Sequence, residues 1–130
     1  MFNKFFLVAF LAACTYVAAE ECDYYAEMQW LTEHRDNEGG IQTCIDNSDK
    51  KDDVELTSTN NEMVTLATAI DNKWDAECRD TPCSADVAKG LYEESKKVNE
   101  ELKKMQAILP ECDSIKKIID QIDAAEKLCG

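Results

Sequence analysis

Residues 84–110 read SADVAKGLYEESKKVNEELKKMQAILP. Val87, Leu91, Val98, Leu102, Met105 and Leu109 recur at intervals of four, seven, four, three and four. That spacing puts them on one face of an α-helix, and Lys and Glu fill the other faces. Ser84 is a good N-cap, and Pro110 cannot continue a helix. Six apolar positions at this spacing could also form a coiled-coil seam, but Ser95 interrupts it, so packing within a domain is the better reading.

The flanking sequence has the same periodicity. On the C-terminal side, Ile115, Ile118, Ile119, Ile122, Ala125 and Leu128 form a second stripe, capped by Asp113 or Ser114 and closed by Cys129. On the N-terminal side, Met63, Leu66, Ala67, Ile70 and Trp74 lead to Cys78 and a turn over residues 79–82. Thr59 and Glu62 form a capping box that would start this helix. Residues 47–58 are polar and read as a surface loop, with a short strand at 54–56. Asp23 to Arg35 carries Tyr24, Tyr25, Met28, Trp30 and Leu31 on one side and reads as a helix ended by Gly39-Gly40. A short helix follows around Ile41 to Asp46, carrying Cys44. The expected fold is an all-α, disulfide-stapled bundle of four to five helices in one domain.

Residues 1–19 have the layout of a secretory signal peptide: Lys4, an apolar run from Phe5 to Ala13, and small residues before a cleavage point after Ala19. That run is too short to span a bilayer. A mature domain over residues 20–130 is expected to be secreted, monomeric and without a stable membrane anchor. Its six cysteines are Cys22, Cys44, Cys78, Cys83, Cys112 and Cys129; Cys14 leaves with the leader. An even number in a short secreted chain implies three disulfides, and spacing alone cannot choose among the fifteen pairings. The net charge of −13 falls to −14 once Lys4 is removed, because all 27 acidic residues follow the leader. Such acidity excludes nucleic acid and anionic membrane surfaces as partners, both of which require basic patches.

Motifs for chemistry are lacking. No Cys-x-x-Cys occurs, and His34 has no partner at ligand spacing, so no metal site is expected. A calcium loop starting at Asp46 fails at Lys50 and Lys51, where a ligand and a glycine are required. No nucleophile elbow, phosphate loop or zinc-protease motif is present. The expectation is a binding protein, not an enzyme, and without cofactors. Met63, Leu66, Leu102, Met105 and Ile118 are flexible or branched side chains of the kind that line a ligand cavity. On pattern alone a solid core is the better reading of the same stripe, because methionines at helical spacing usually just pack.

Further landmarks carry a resemblance. The third and fourth cysteines bracket four residues, Cys78-Arg-Asp-Thr-Pro-Cys83; Cys44 precedes Ile-Asp-Asn-Ser48; Pro110-Glu-Cys112-Asp113 precedes the closing helix; and Trp74 stands four residues before Cys78. In these features and in cysteine order the mature chain resembles the elicitins and elicitin-like proteins, a family secreted by oomycetes. It departs from them in several inter-cysteine intervals and at Gln121, where the family has a cavity tyrosine. The resemblance implies a helical fold around a cavity for a sterol or fatty-acid-like ligand, and a link to plant defence through a host surface receptor. Here Met63, Leu66, Ile70, Leu102 and Ile118 would line that cavity, Trp74 or Tyr92 would stand at its mouth, and Gln121 would alter its preference. The implied pairing is Cys22–Cys112, Cys44–Cys83 and Cys78–Cys129. Two other readings remain open: a secreted interaction protein with a solid core, and another six-cysteine carrier such as an insect odorant-binding protein. The usual Cys-x3-Cys and Cys-x8-Cys of the latter are absent.

Overall fold

The computed structural model describes residues 21–34 and 37–130. The signal-peptide reading of residues 1–19, and Arg35 as a helix end, lie outside the described residues. Five helices follow in order: α1 Tyr24–Glu33, α2 Asn37–Asp46, α3 Val54–Glu77, α4 Ala85–Ile108 and α5 Asp113–Cys129. No strand occurs among the described residues. The protein is an all-α, disulfide-stapled bundle.

Helix α4 is central and packs against α1, α3 and α5, while α2 lies on α5. Its buried side chains are Ala88, Leu91, Tyr92, Ser95, Val98, Asn99, Leu102 and Met105, the expected stripe widened by polar members. Ser84 Oγ accepts from the Val87 amide at 3.3 Å, satisfying one of the free donors of the first turn. At the other end the helix stops before Pro110, and Lys50 Nζ donates to the Ile108 carbonyl at 2.9 Å. A cation from a distant loop thus completes a helix end that has no basic residue of its own.

Three elements differ from the sequence expectation. Helix α3 starts at Val54, so residues 54–56 are helical, not a strand, and the Thr59–Glu62 box is interior. Asp53 is the actual N-cap, and its Oδ1 accepts from the Leu56 amide at 2.9 Å. The apolar stripe continues back through Met63 to Leu56, but Thr59 and Asn60 are buried between them and hide it. Asn60 belongs there because its amide donates to Gln42 Oε1 on α2 at 3.3 Å.

The glycine pair does not end a helix; it lies inside α2. A Cβ on Gly40 would collide with the Ser114 hydroxyl and come within 3.2 Å of Ser114 Cβ. Glycine lets α2 cross the first turn of α5 closely enough for Cys44 to reach Cys112. Neither Asp113 nor Ser114 caps α5: Cys112 holds the N-cap position with no side-chain hydrogen bond, its sulfur committed to Cys44. Leu128, expected on the apolar stripe of α5, is exposed.

The disulfides are Cys22–Cys129, Cys44–Cys112 and Cys78–Cys83, with Cα–Cα distances of 5.0, 5.8 and 4.5 Å. None of the three pairs implied by the elicitin resemblance forms. Cys78 caps the end of α3 and Cys83 immediately precedes the N-cap of α4, so the turn between two antiparallel helices brings these two together. That removes the partner of both Cys44 and Cys129 in the implied scheme. Cys129, the last residue of α5, then meets Cys22 ahead of α1. Three bridges in a chain of this length belong to an oxidising compartment.

Candidate functional site

The main candidate is an apolar cleft beneath α1. Asp23 starts that helix by accepting from the Ala26 amide at 3.1 Å, and the helix ends at His34, whose amide donates to the Trp30 carbonyl. Its last two turns hang Met28, Leu31, Thr32 and His34 over the body of the bundle. Beneath them α3 presents Met63, Ala67, Ile70 and Asp71, which the 3.6-residue period places on one face. Ser95 and Val98 of α4 and Ile118 and Ile122 of α5 close the floor.

Eight of the twelve lining residues are apolar. The enclosed volume is about 50 Å³. Ready-made pockets for drug-sized ligands run to roughly 300–1,000 Å³, and a liquid water occupies roughly 30 Å³. As it stands the cleft has room for no more than the end of a short chain and is too small for a sterol body.

Three of the polar side chains at the cleft, Thr32, Ser95 and His34, are engaged with the backbone of their own helices. Thr32 Oγ1 donates to the Gln29 carbonyl at 3.0 Å. Ser95, only 2 % exposed, donates to the Tyr92 carbonyl at 2.6 Å. His34 Nδ1 lies 2.8 Å from the Trp30 carbonyl, and its ring stacks on Trp30 with centroids 4.0 Å apart and planes 11° apart.

Of the eight expected cavity residues, the structure brings three to this cleft: Met63, Ile70 and Ile118. Leu102 is fully buried in the core, and Leu66 packs against its edge. Tyr92 is buried with its ring 5.2 Å from that of Tyr24, and its hydroxyl faces the Gly130 carbonyl at 3.4 Å. Burial, with the nearby Glu126 and Glu93 carboxylates adding to it, pushes that phenol up to about 12. Trp74 walls a separate open groove with Tyr25, whose ring lies 5.1 Å away, and with the Asp75–Arg79 ion pair. Gln121 donates to Glu27 Oε2 at 2.8 Å and fastens α5 to α1 instead of facing the cleft. Met28 and Leu31 were legible as an apolar stripe on α1, but nothing in their spacing shows which helix they cover.

A polar tie between α4 and α5 lies away from the cleft. Asn99 donates to Asp123 Oδ1 at 2.9 Å, and Lys103 Nζ lies 3.0 Å from the same oxygen. Burial alone would raise the Asp123 carboxyl, but these two hydrogen bonds outweigh it and hold the group below the usual carboxylate range.

No family model, curated protein or solved structure matches the chain. The residues of the cleft and the bridges around it therefore carry the functional reading. Among the described residues, no group of three or more His, Cys, Asp or Glu side chains is placed to hold a metal ion, and no helix is long and apolar enough to cross a membrane.

Proposed function

We propose that the protein is an exported binding protein that holds a small apolar guest in the cleft between α1 and the floor formed by α3, α4 and α5. One observation carries this reading: four helices converge eight apolar side chains on a single partly open void with few polar groups at its edge. Burying apolar surface supplies about 25 cal/mol per Å², so even a short alkyl chain seated there gains measurable affinity. The methionines at positions 28 and 63 can shift to admit it, because an unbranched thioether repacks at low cost.

Larger ligands need a further step. A sterol or fatty acid exceeds about 50 Å³ and enters only when α1 lifts at its His34 end. The elicitin-like reading rests on cysteine order and the Pro-x-Cys segment, and the bridges differ from its pairing throughout. Sterol carriage and recognition by a host receptor are accordingly the outer reach of this proposal, not its centre. The small void also favours a second reading, an interaction protein with an essentially solid core that acts through its acidic surface.

Titration of the oxidised protein with small aliphatics, a fluorescent fatty acid and a fluorescent sterol separates these readings. Selective labelling of methionine methyl groups reports on the cleft. Saturable binding near one ligand per chain, with shifts at Met28 and Met63, supports a carrier. Folded protein that leaves both methyl signals unmoved by every probe rejects it in favour of the surface reading.

A further inference from the structure

A second depression borders α1, and its chemistry differs from that of the cleft. Tyr25, Gln29 and Thr32 follow one another at four and three residues, so the helical period puts them on one side of α1. Together with Glu33, the last residue of α1, they line an open groove of about 430 Å³. Trp74, Asp75, Cys78 and Arg79, from the end of α3 and the turn after it, supply the other wall. Unlike the cleft void, this volume falls within the roughly 300–1,000 Å³ of small-ligand sites.

Two features define what the groove can recognise. One is an aromatic pair: the Tyr25 and Trp74 rings lie 5.1 Å apart and are tilted by 39°. Trp74 is almost wholly buried, Tyr25 half-buried, and the Cys78–Cys83 bridge closes the turn beside them. The other is a polar rim. On the α3 side Asp75 Oδ1 lies 3.8 Å from Arg79 Nη1 and steadies an exposed guanidinium, which carries five donors in a rigid fork. Asp75 is committed there and needs no further role. Gln29 and Glu33 are exposed on the α1 side, an amide that both donates and accepts and a carboxylate that accepts.

The ligand class follows from this mixture. A purely apolar guest would strip water from the guanidinium, the amide and the carboxylate without replacing its hydrogen bonds, which is costly. A ring with hydroxyls around its edge and C–H groups on its faces replaces them. Each hydroxyl has one donor and two acceptor lone pairs, so it can meet Arg79, Gln29 or Glu33 alike, and the match does not depend on the charge balance of the rim. The C–H faces, made slightly positive by the neighbouring oxygens, suit the negative face of an aromatic ring. We infer that the groove is a saccharide site that takes one or two neutral hexose rings, a C–H face against Tyr25 and Trp74 and hydroxyls on Arg79, Gln29 and Glu33. This site goes beyond the apolar cleft and does not rest on it.

The test uses the full oxidised protein with cellobiose, maltose and N,N′-diacetylchitobiose as probes and cyclohexanol, a ring with one hydroxyl, as control. Binding is read from the two tryptophan indole N–H signals in heteronuclear NMR, assigned with Trp30→Phe. At least one disaccharide is expected to shift the Trp74 signal saturably and to leave in place that of Trp30, which stacks on His34. Arg79→Ala should weaken this binding about tenfold or more, as the loss of a charged hydrogen-bond donor does, and Gln29→Ala by less. Both side chains are exposed, so thermal unfolding should barely change. Tyr25→Leu should abolish binding and Tyr25→Phe retain it, which separates loss of the ring from loss of the fold. If no saccharide moves the Trp74 signal, the assignment is overturned. The same holds if cyclohexanol moves it as strongly, or if Arg79→Ala and Gln29→Ala bind as tightly as the parent protein. The methyl signals of Met28 and Met63 report on the cleft separately, so failure of the saccharide site is distinguishable from failure of the apolar one.

Discussion

Removing the disulfides one pair at a time should give sharply unequal costs, in an order set by the loops they close. The bridges span sequence separations of 107, 68 and 5 residues. On the chain-entropy treatment a cross-link removes about 2.1 + 1.5R ln n cal/mol/K from the unfolded ensemble, with n the loop length. At 25 °C that amounts to about 4.8 kcal/mol for Cys22–Cys129, about 4.4 for Cys44–Cys112 and about 2 for Cys78–Cys83. A small domain has only about 5–15 kcal/mol in total. Cys22→Ala/Cys129→Ala should therefore lose a third or more of its stability in urea unfolding, and Cys78→Ala/Cys83→Ala should remain comfortably folded. Thiol titration of the denatured short-loop variant, made on residues 20–130 so that Cys14 is absent, sharpens the test. With the bridges described here it carries no free thiol. With the pairing implied by the elicitin resemblance, the same variant would strand Cys44 and Cys129 and titrate two. Two free thiols, or a short-loop variant less stable than the long-loop one, would refute the assignment and the crossing of α2 over α5 that rests on it.

Other substitutions probe the helix ends and crossings. Gly40→Ala should destabilise by about 1–3 kcal/mol through overpacking against Ser114, and adding Ser114→Gly should recover most of it; denaturant midpoints of the two variants decide this. Asp53→Ala should cost about 1 kcal/mol, and Thr59→Ala should show no capping loss, if α3 begins at Val54 and not at the Thr59–Glu62 box. Tyr92 ionises near 12 in the folded state and near 10 in a free chain, so its stabilising contribution is complete below pH 10 and is lost as pH rises toward 12. The full span is roughly 3 kcal/mol, and Tyr92→Phe should flatten that part of the stability–pH curve; a slope unchanged by the substitution would place its origin elsewhere.

The legible parts of the fold were those where one physical signal dominates. In α4 and α5 the apolar stripe, the N-cap serine before α4 and the terminal proline after it agree, and the structure follows them except at Leu128, which is exposed. The start of α3 was obscured because Thr59 and Asn60 are buried, and the partner that makes Asn60 tolerable there, Gln42 on α2, is one that no local pattern reveals. Gly39-Gly40 was misleading because glycine serves two opposite purposes, releasing a chain from a helix or letting two helices approach. Only the position of Ser114 tells which applies. The cleft was half legible. Helical period placed Met63 and Ile70 on one face, but the lid residues Met28 and Leu31 come from a helix whose direction across the bundle is set by the bridge from Cys22 to Cys129. That bridge could not be chosen from spacing.

This dependence of the cleft on α1 leads to a dynamic prediction. At ten residues α1 is shorter than the roughly 12–15 that a helix needs to persist alone in water, so packing and its one covalent anchor hold it in place. The anchor lies at the N-terminal end, Cys22, whereas the cleft residues lie toward the C-terminal end. Gln121 adds a hydrogen bond at Glu27, again ahead of Leu31 and Thr32. Opening should therefore start at the His34 end and pivot toward Cys22. In native-state hydrogen exchange the amides near Leu31 and Thr32 should exchange through a local opening well below the global unfolding free energy, and those in the middle of α4 only through global unfolding. A guest that fills the cleft must slow the first group and leave the second unchanged, since it stabilises the closed position of α1 by mass action. Equal protection across α1 and α4 in the free protein would mean that the lid does not open on its own, and a lipid-sized ligand would then have no way in.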